Sequence, residues 1–232
     1  MKVYYDLHIH SALSPCASDD MTPLNIVAMA SVKGLDVIAI NDHNSIENVA
    51  AAMECGRDFD VMVIPSMEVQ TAEDIHVLTM FEDFSSLKAF HDTLTKRQIA
   101  NDEHIFGRQL IFDCDNNIIG KENILLMAGV LENINTVIER AQKYGGVAAP
   151  AHIDRPQNGI LAILGDVPID LPITTLEFSK YASDNIKERY KRYNQIYNSD
   201  AHRPEDISDK TNWLEIEKLS PKSFLKAVRG GI

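Results

Sequence analysis

Two histidines near the start of the chain, His8 and His10, lie two residues apart in the sequence DLHIHS at positions 6–11. The residues before them, Val3–Leu7, are typical of a β-strand, and side chains at positions i and i+2 of a strand point to the same side. Two imidazoles on one side of a strand end can bind a metal ion together. The pair alone is equally typical of two unrelated surface histidines, because histidine is also an ordinary half-buried residue.

The elements that would position these histidines are strand-like apolar runs that alternate with helix-like segments. One helix is predicted to begin at Thr22, an N-cap residue followed by Pro23 in the first turn, and to end near Gly34. Another covers Leu131–Tyr144, with apolar residues at helical spacing. This alternation predicts a parallel sheet, either open or closed into a barrel. The predicted strands are Val3–Leu7, Val37–Ile40, Val61–Ile64, Ile75–Met80, Val147–Ala149, Thr174–Phe178 and Gln195–Asn198, with Trp213–Ile216 as a further candidate.

Most of the residue types that bind metals fall at the ends of these strands. Six of the eight histidines and two carboxylates lie at strand edges, mostly at C-terminal ends, where α/β barrels carry their active sites. His76 is an exception, because it lies at the start of its predicted strand. Imidazoles and carboxylates without thiolates suit zinc, manganese or iron, and a carboxylate such as Glu68 can bridge two cations. The residues are His8, His10, His43, Glu68, His76, His152, Asp200 and His202.

The composition favours one sizeable soluble domain, residues 1–232. The chain is 45% hydrophobic and 24% charged, without a signal peptide or an apolar run that could span a membrane, so a cytoplasmic location is expected. Three cysteines without a C-x-x-C pair indicate neither a disulfide framework nor a thiolate zinc site. The net charge of −12 disfavours long duplex nucleic acid, although bound metal ions would still admit a small anionic substrate.

Residues at about 84–127 break the alternation of strands and helices. A helical piece is followed by two short β-like runs, 109–112 and 117–119, which flank residues 113–116 and predict a β-hairpin. No linker rich in proline, glycine or serine marks a domain boundary. The segment is therefore predicted to be a small insertion on the rim of the domain.

The motifs, taken together, resemble those of a known family. DLHIHS (6–11), NDHNS (41–45), Glu68, His76, PAH (150–152) and SDAH (199–202) occur in the order of the successive motifs of the PHP (polymerase and histidinol phosphatase) family. The resemblance covers residue 3 to about residue 205. It implies an α/β fold, a distorted seven-stranded (β/α)7 barrel, with two or three divalent metal ions at its C-terminal face. It also implies an enzyme that hydrolyses phosphate esters through a metal-activated hydroxide.

The resemblance further implies which residues bind the metals. His8, His10, Glu68 and Asp200 would hold one metal ion, and His43 with Glu68 would hold a second. His76, His152 and His202 would complete the cluster. Asp200 and His202 are also the candidate catalytic residues, with His202 or a water on the metals protonating the leaving group.

One loop departs from the family pattern. Many members place an acidic or histidine ligand shortly before a Thr-Pro helix start, and here that place falls on Ser18. Asp19 can supply the ligand by a shift of register, and it is the residue that we assign. Cys16 is the alternative, and a weaker second metal site is the remaining possibility.

The predicted substrate is a small phosphomonoester, a nucleotide or a short oligonucleotide. Arg155 and Lys180 follow strands and can bind its phosphate, although rim ion pairs would explain them equally well. One alternative is an amidohydrolase-like hydrolase of C–N bonds, for which Lys180 is a weak candidate as a bridging lysine. Another is a non-catalytic, metal-stabilised binding module. The oligomeric state is not predicted, and no glycine-rich nucleotide motif or serine elbow occurs.

Overall fold

The computed structural model describes residues 1–231. The strands in this part of the chain are β1 (Lys2–Ile9), β2 (Val37–Ile40), β3 (Met62–Ile64), β4 (Ser66–Gln70), β5 (His76–Met80), β6 (Leu110–Phe112), β7 (Ile118–Lys121), β8 (Val147–Pro150), β9 (Thr175–Phe178), β10 (Asn194–Tyr197) and β11 (Trp213–Glu215). The helices are α1 (Pro23–Val32), α2 (Val49–Asp58), α3 (Phe84–His91), α4 (Glu103–Phe106), α5 (Ile134–Lys143), α6 (Ile160–Leu164), α7 (Asp184–Arg189) and α8 (Pro221–Val228). Short 3-10 turns cover Leu126–Ala128 and Pro204–Asp206.

Local sequence explains where the predicted helices begin and end. The Thr22 side chain accepts a hydrogen bond from the Asn25 N–H at 3.2 Å and caps α1, whose first residue is Pro23. Gly34 follows the helix with φ of 73°, a conformation that glycine adopts without a steric penalty. Helix α5 begins after the N-cap Asn133 and turns its apolar stripe into the core. Both helix predictions are confirmed, with α5 shorter than predicted at each end.

The hydrogen-bonded sheets are small and of mixed direction. Strands β1, β2 and β3 are parallel, and β11 adds to β1 in the antiparallel sense. Strands β9 and β10 form a parallel pair, whereas β4, β5 and β8 form an antiparallel sheet. Isolated backbone bridges join Ile9 to Ala201 and His43 to Glu68. The α/β class is therefore confirmed, but a continuous seven-stranded (β/α)7 barrel is not.

The direction of β5 explains the exception noted for His76. Strand β5 runs antiparallel to both β4 and β8, so that its first residues lie beside the last residues of β8. Val77 pairs with Pro150, and the Ala151 N–H donates to the His76 carbonyl at 2.9 Å. His76 therefore lies at the same end of the sheets as His152, although it precedes its own strand.

The pairing of β1 with β2 is irregular at the point where β1 carries His8. Val3, Tyr5 and Leu7 alternate into a core with residues of β2, β5, β8 and α8, where the Phe224 ring lies 5.9 Å from that of Tyr5. The β1–β2 register then shifts between Asp6 and Ile9, and Ile9 packs with residues of α1 and α2 on the other side. Such an irregularity re-aims side chains locally.

The segment at 84–127 contains α3, α4 and the strands β6 and β7. These two strands pair in the antiparallel sense, which confirms the predicted hairpin. The segment is tied to α2 by a disulfide between Cys55 and Cys114, whose Cα atoms lie 5.6 Å apart. The reading that the cysteines indicate no disulfide was wrong, because a bridge across 59 residues leaves no local signal. Across residues 1–231, none of the helices combines the length and the apolar character that a bilayer crossing needs.

Candidate metal centre

A buried carboxylate, that of Glu68, lies at the centre of a ring of imidazoles. The Glu68 side chain is 1% exposed, and it projects from β4 toward the ends of the neighbouring strands. Five histidines place a ring nitrogen within 3.5 Å of its oxygens. The distances are 2.9 Å for His76 Nδ1, 3.0 Å for His43 Nδ1, 3.2 Å for His8 Nε2 and 3.5 Å for both His10 Nε2 and His152 Nε2.

These close approaches are not hydrogen bonds. Neither carboxylate oxygen of Glu68 has a hydrogen-bond partner, and the Nδ1 atoms of His43 and His152 are also unpaired. Leaving such a buried group unpaired costs about 1–3 kcal/mol. A divalent cation removes this cost, since carboxylate oxygens and imidazole nitrogens are among its usual ligands. The residues present therefore fit the metal ions that the family resemblance implies.

The charges in this cluster shift one another's protonation. Burial alone would raise the pKa of Glu68, but the surrounding imidazoles, led by His76, hold that pKa well below its ordinary value. Burial also opposes protonation of His8, yet nearby carboxylates, led by Glu177, raise its pKa well above the ordinary value. For His10 burial prevails, and its pKa falls well below the ordinary value. His10 is therefore neutral, which is the form that binds a metal.

Asp200 closes one side of the ring. Its Oδ1 lies 3.3 Å from His8 Nε2 and 3.2 Å from His10 Nε2, and these three side chains are grouped closely enough to share a cation. The Asp200 backbone has φ of 53° and that of His152 has φ of 28°, conformations that are costly for residues other than glycine. Backbone of this kind is concentrated at functional sites. Arg155 forms an ion pair with the other oxygen of Asp200.

A single hydroxyl, that of Ser14, contacts the imidazole of His10 and the backbone of His43. Ser14 Oγ lies 3.1 Å from His10 Nδ1 and accepts a hydrogen bond of 3.1 Å from the His43 backbone N–H. It also donates to Asp42 Oδ1 at 2.7 Å. Asp42 therefore acts on the histidines through Ser14, and it accepts two further hydrogen bonds from Ser11.

Glu177 is a residue of the site that the sequence analysis missed. Both of its oxygens lie 3.0 Å from His8 Nδ1, and it accepts hydrogen bonds from Asn198 Nδ2 at 2.7 Å and the His152 N–H at 2.8 Å. A carboxylate on Nδ1 holds the His8 ring with Nε2 toward Glu68, where it could bind a metal ion. Asp6, which lies nearest in sequence, instead accepts hydrogen bonds from the backbone of the segment that follows β10. One sequence signal could have identified Glu177, because it is the acidic residue of the otherwise uncharged strand β9.

The loop after His10 brings Cys16 to the cluster and leaves Asp19 outside it. The assignment of Asp19 as a ligand is therefore not supported, because its exposed carboxylate forms an ion pair with Arg108 on the segment at 84–127. The Cys16 sulfur lies within 4.8 Å of the ligand atoms of His10 and His202. Burial raises the pKa of the Cys16 thiol, but hydrogen bonds, first from His202, lower it to about 7.

His202 lies on the outer side of the ring. Its side chain is 31% exposed, and its ring stacks on that of His10 with 4.5 Å between the centroids. Its Nδ1 lies 2.7 Å from the backbone carbonyl oxygen of Asp200, so Nδ1–H donates to this oxygen and Nε2 is the nitrogen available for a ligand.

Two adjoining cavities open at the cluster. One of about 200 Å³ is lined by the cluster itself and by Met127. The other, of about 310 Å³, is lined by Arg155, Lys180 and Tyr181, and both cavities share His152, Arg155, Asp200 and His202. Lys180 Nζ lies 5.3 Å from the centre of the Tyr181 ring. The two predicted phosphate-binding side chains therefore line the cavity beside the cluster, and Lys180 is not part of the cluster.

Comparisons with known proteins agree with this architecture. No protein-family model matches the chain. The uncharacterised protein MJ1587 of Methanocaldococcus jannaschii is 31% identical over 192 residues, which are 78% of this chain and 84% of that protein. This likeness over most of both chains shows that the two belong to one family.

Solved structures with little sequence identity share the fold. The lesion-specific endonuclease Q of Pyrococcus furiosus is 22% identical, with a TM-score of 0.72 over 99% of this chain and 56% of that chain. Endonuclease Q in complex with a 27-mer duplex that has an abasic lesion at the active site gives 20% identity and a TM-score of 0.70, over 99% and 57% of the two chains. A two-domain protein of Bacteroides vulgatus, described as containing a predicted PHP-like metal-dependent phosphoesterase, is 15% identical, with a TM-score of 0.58 over 99% of this chain and 63% of that chain. This chain thus spans little more than half of the Endonuclease Q chains.

Proposed function

The chain belongs to one family with the uncharacterised protein MJ1587, and we propose that this is the PHP (polymerase and histidinol phosphatase) family and that the chain is a metal-dependent hydrolase of phosphoester bonds. The observation that carries the proposal is the buried Glu68 carboxylate, which five imidazoles approach within 3.5 Å without satisfying either oxygen. Two or three divalent cations, zinc, manganese or iron, would supply Lewis acidity and an activated water there.

The ligands of these cations would be the residues that the structure brings together. We assign to this role His8, His10, His43, Glu68, His76, His152, Asp200 and His202. Glu177 holds the His8 ring in place from outside the cluster. Because the outer partners of ligating histidines fix ring orientation and tautomer, Glu177 is a positioning residue.

Arg155 and Lys180 would bind the phosphate of the substrate. Both line the cavity of about 310 Å³ beside the cluster, and a guanidinium can bind a phosphate through two parallel hydrogen bonds. Arg155 also forms an ion pair with Asp200, which keeps the guanidinium at the cluster. His202 Nε2 can hold a proton for the leaving oxygen or bind a cation, because Nδ1–H donates to the Asp200 carbonyl oxygen.

The substrate class includes nucleic acid as well as small phosphoesters. A cavity of about 310 Å³ accommodates a nucleotide, since small-molecule sites are about 300–1,000 Å³ in volume. The expectation that long duplexes are excluded is not supported, because Endonuclease Q has the same fold and binds a 27-mer duplex. A phosphomonoester, a nucleotide and a DNA strand with an abasic site are therefore the substrates to compare.

Neither alternative function has a supporting observation in the site. A C–N hydrolase of the amidohydrolase type would use a lysine among the metal ligands, but the Lys180 ammonium lies against Tyr181. A non-catalytic module rested on the loss of the loop ligand, but another residue of the same loop, Cys16, lies beside His10 and His202.

Metal content and turnover, measured on the same preparation, test the proposal. Untagged protein purified without chelators should contain two or three metal ions per chain and should hydrolyse p-nitrophenyl phosphate, a nucleotide or duplex DNA with an abasic site. His8→Ala should lose both metal and turnover. His104→Ala is the matched control, because His104 is exposed on α4, and it should retain both. Bound metal without turnover of any of these esters would contradict the enzyme and favour a binding module.

The finer features of the fold are part of the same proposal. We infer that the separate sheets are arcs of one distorted barrel, since the bridge between Ile9 and Ala201 joins the segment after β10 to β1. Residues 1–232 would form a single domain, with the segment at 84–127 inserted on its rim. Limited proteolysis should then cut within this segment before it cuts the strands. A cytoplasmic location remains a prediction.

A further inference from the structure

The residue beside the cluster that the family pattern does not explain is Cys16. It is the one free cysteine of residues 1–231, since Cys55 and Cys114 are paired with each other. Its sulfur and the ligand atoms of His10 and His202 all lie within 4.8 Å of one another. Cys16 also lines the cavity of about 200 Å³ together with Glu68 and His43. The thiol is thus on the wall of the metal centre, although the residue as a whole is exposed.

A second observation is an unpaired, buried imidazole on the wall of the same cavity. His43 is 4% exposed, and its Nδ1 makes no hydrogen bond, although Glu68 Oε2 is 3.0 Å away. The loop is held close to His202 by the backbone, where the Ser18 N–H donates to the His202 carbonyl at 2.9 Å. The Cys16 sulfur is therefore held beside the ligand atoms of His10 and His202, in a cavity whose wall also includes the unpaired imidazole of His43.

We propose that Cys16 is a thiolate ligand of the outermost metal ion of the cluster, together with His202 and the adjacent imidazoles of His10 or His43. In this arrangement His202 binds the metal through Nε2, because its Nδ1 is committed to the Asp200 carbonyl oxygen. The proton on its Nδ1 stays in place, and the thiol proton is released to solvent when the metal binds.

The chemical consequence is a preference among metals. Thiolate is a soft ligand that favours zinc and cobalt over manganese, whereas carboxylate and imidazole accept all three. The outermost position should therefore select zinc, while the positions around Glu68 and Asp200 accept manganese as well. The inference needs the cluster to bind metal, but it does not require that the protein hydrolyse a phosphoester.

Cobalt provides a readout that is independent of activity. The full chain loaded with Co²⁺ should show a thiolate-to-cobalt charge-transfer band in the near ultraviolet. Cys16→Ser should abolish this band, and Cys16→Asp should abolish it while keeping the number of bound metal ions. The matched control is the double variant Cys55→Ser/Cys114→Ser, which leaves Cys16 as the sole cysteine and should keep the band. In competition, Cys16→Asp should lose about ten-fold or more of the preference for zinc over manganese at this position.

The outcomes separate this inference from the proposed function. Bound cobalt without a thiolate band in the parent chain, or a band that survives Cys16→Ser, overturns the role of Cys16 and leaves the rest of the cluster intact. Absence of bound cobalt from the parent chain overturns the metal centre itself. A thiolate band without phosphoester turnover supports the ligand and contradicts the enzyme.

Discussion

Glu68 and Glu132 are both buried carboxylates, but their surroundings differ in kind. Glu132 accepts hydrogen bonds from the Thr95 N–H at 3.0 Å, the Thr95 hydroxyl at 3.1 Å and the Arg140 guanidinium at 2.9 Å. Glu68 is approached by five imidazoles, and neither of its oxygens has a hydrogen-bond partner. The hydrogen-bonding capacity of Glu132 is satisfied by other groups of the protein. The oxygens of Glu68 are not satisfied in this way, and they are placed to bind a cation.

The difference separates residues that stabilise the fold from residues that bind a ligand. A satisfied buried carboxylate contributes to stability, because its hydrogen bonds offset the cost of removing it from water. A buried carboxylate without hydrogen bonds destabilises the fold unless a bound ligand, such as a metal ion, offsets the cost of removing it from water. The same substitution at the two positions should therefore affect different measurements.

The largest effect is expected from Glu68→Gln. A neutral amide at the centre of the cluster removes the bridging charge, so metal ions should be lost and turnover should fall by about a thousand-fold or more. Elemental analysis and steady-state kinetics measure both effects. The rise in unfolding temperature that zinc gives the parent chain should also disappear. Retention of the metal ions and of turnover would remove the distinction between the two carboxylates.

Glu177→Gln should have an intermediate effect, because Glu177 acts on the metals through His8. Loss of its charge weakens the orientation of the His8 ring, and metal affinity should fall by about 10–100-fold. Titration with a chromophoric chelator measures this change. A variant that lost the metals as completely as Glu68→Gln would place Glu177 among the ligands.

Glu132→Gln should leave the metals in place and reduce stability. The substitution weakens the hydrogen bonds to Thr95 and Arg140, so the free energy of unfolding should fall by about 1–2 kcal/mol in urea titrations. Arg140→Lys is the accompanying control, since it keeps the charge and loses the planar geometry. A fall in metal content with Glu132→Gln would contradict the purely structural role of this carboxylate.

The smallest effect concerns pH. Burial alone would raise the pKa of Glu132, but hydrogen bonds from Thr95 and Arg140 outweigh it and lower the pKa from the ordinary value of 4.5. The folded state therefore binds this proton less readily than the unfolded state. The contribution of Glu132 to stability is present above 4.5 and is lost as the pH falls through the folded-state pKa. The stability difference between the parent and Glu132→Gln should shrink over that range in urea unfolding at a series of pH values.

The sequence predicted the site residues that follow the C-terminal ends of strands. It did not explain residues whose placement depends on how strands distant in the chain pair with one another. His8, His10, His152 and Asp200 lie at or just after the C-terminal ends of β1, β8 and β10, and a pattern of strands and helices suffices to predict that placement. The direction of β5 depends on its pairing with β4 and β8, and no local pattern records it. The position of His76 was therefore unexplained until the antiparallel pairing was known.

The sequence also failed to predict residues whose positions depend on partners that are distant in the chain. Asp19 was assigned to the cluster from its position in the loop, but its exposed carboxylate forms an ion pair with Arg108 of the segment at 84–127. Glu177 was overlooked because its role depends on His8 and Asn198, which are far away in sequence. The disulfide between Cys55 and Cys114 was missed for the same reason. In each case the deciding contact lies beyond the reach of periodicity and spacing.

The reversed direction of β5 also affects how a protein of this kind can diverge. After His76 the chain runs away from the metal centre, since Met80 pairs with Val147 at the far end of β8. The segment that follows departs from that far side, and its end returns to place Met127 on the cavity wall. This segment therefore reaches the metal centre only at its end, where it forms part of the cavity wall and bonds to the loop after His43 through the Leu126 carbonyl. A change of length within it would be transmitted to the cavity wall at Met127, whereas β5 itself runs away from that wall after His76.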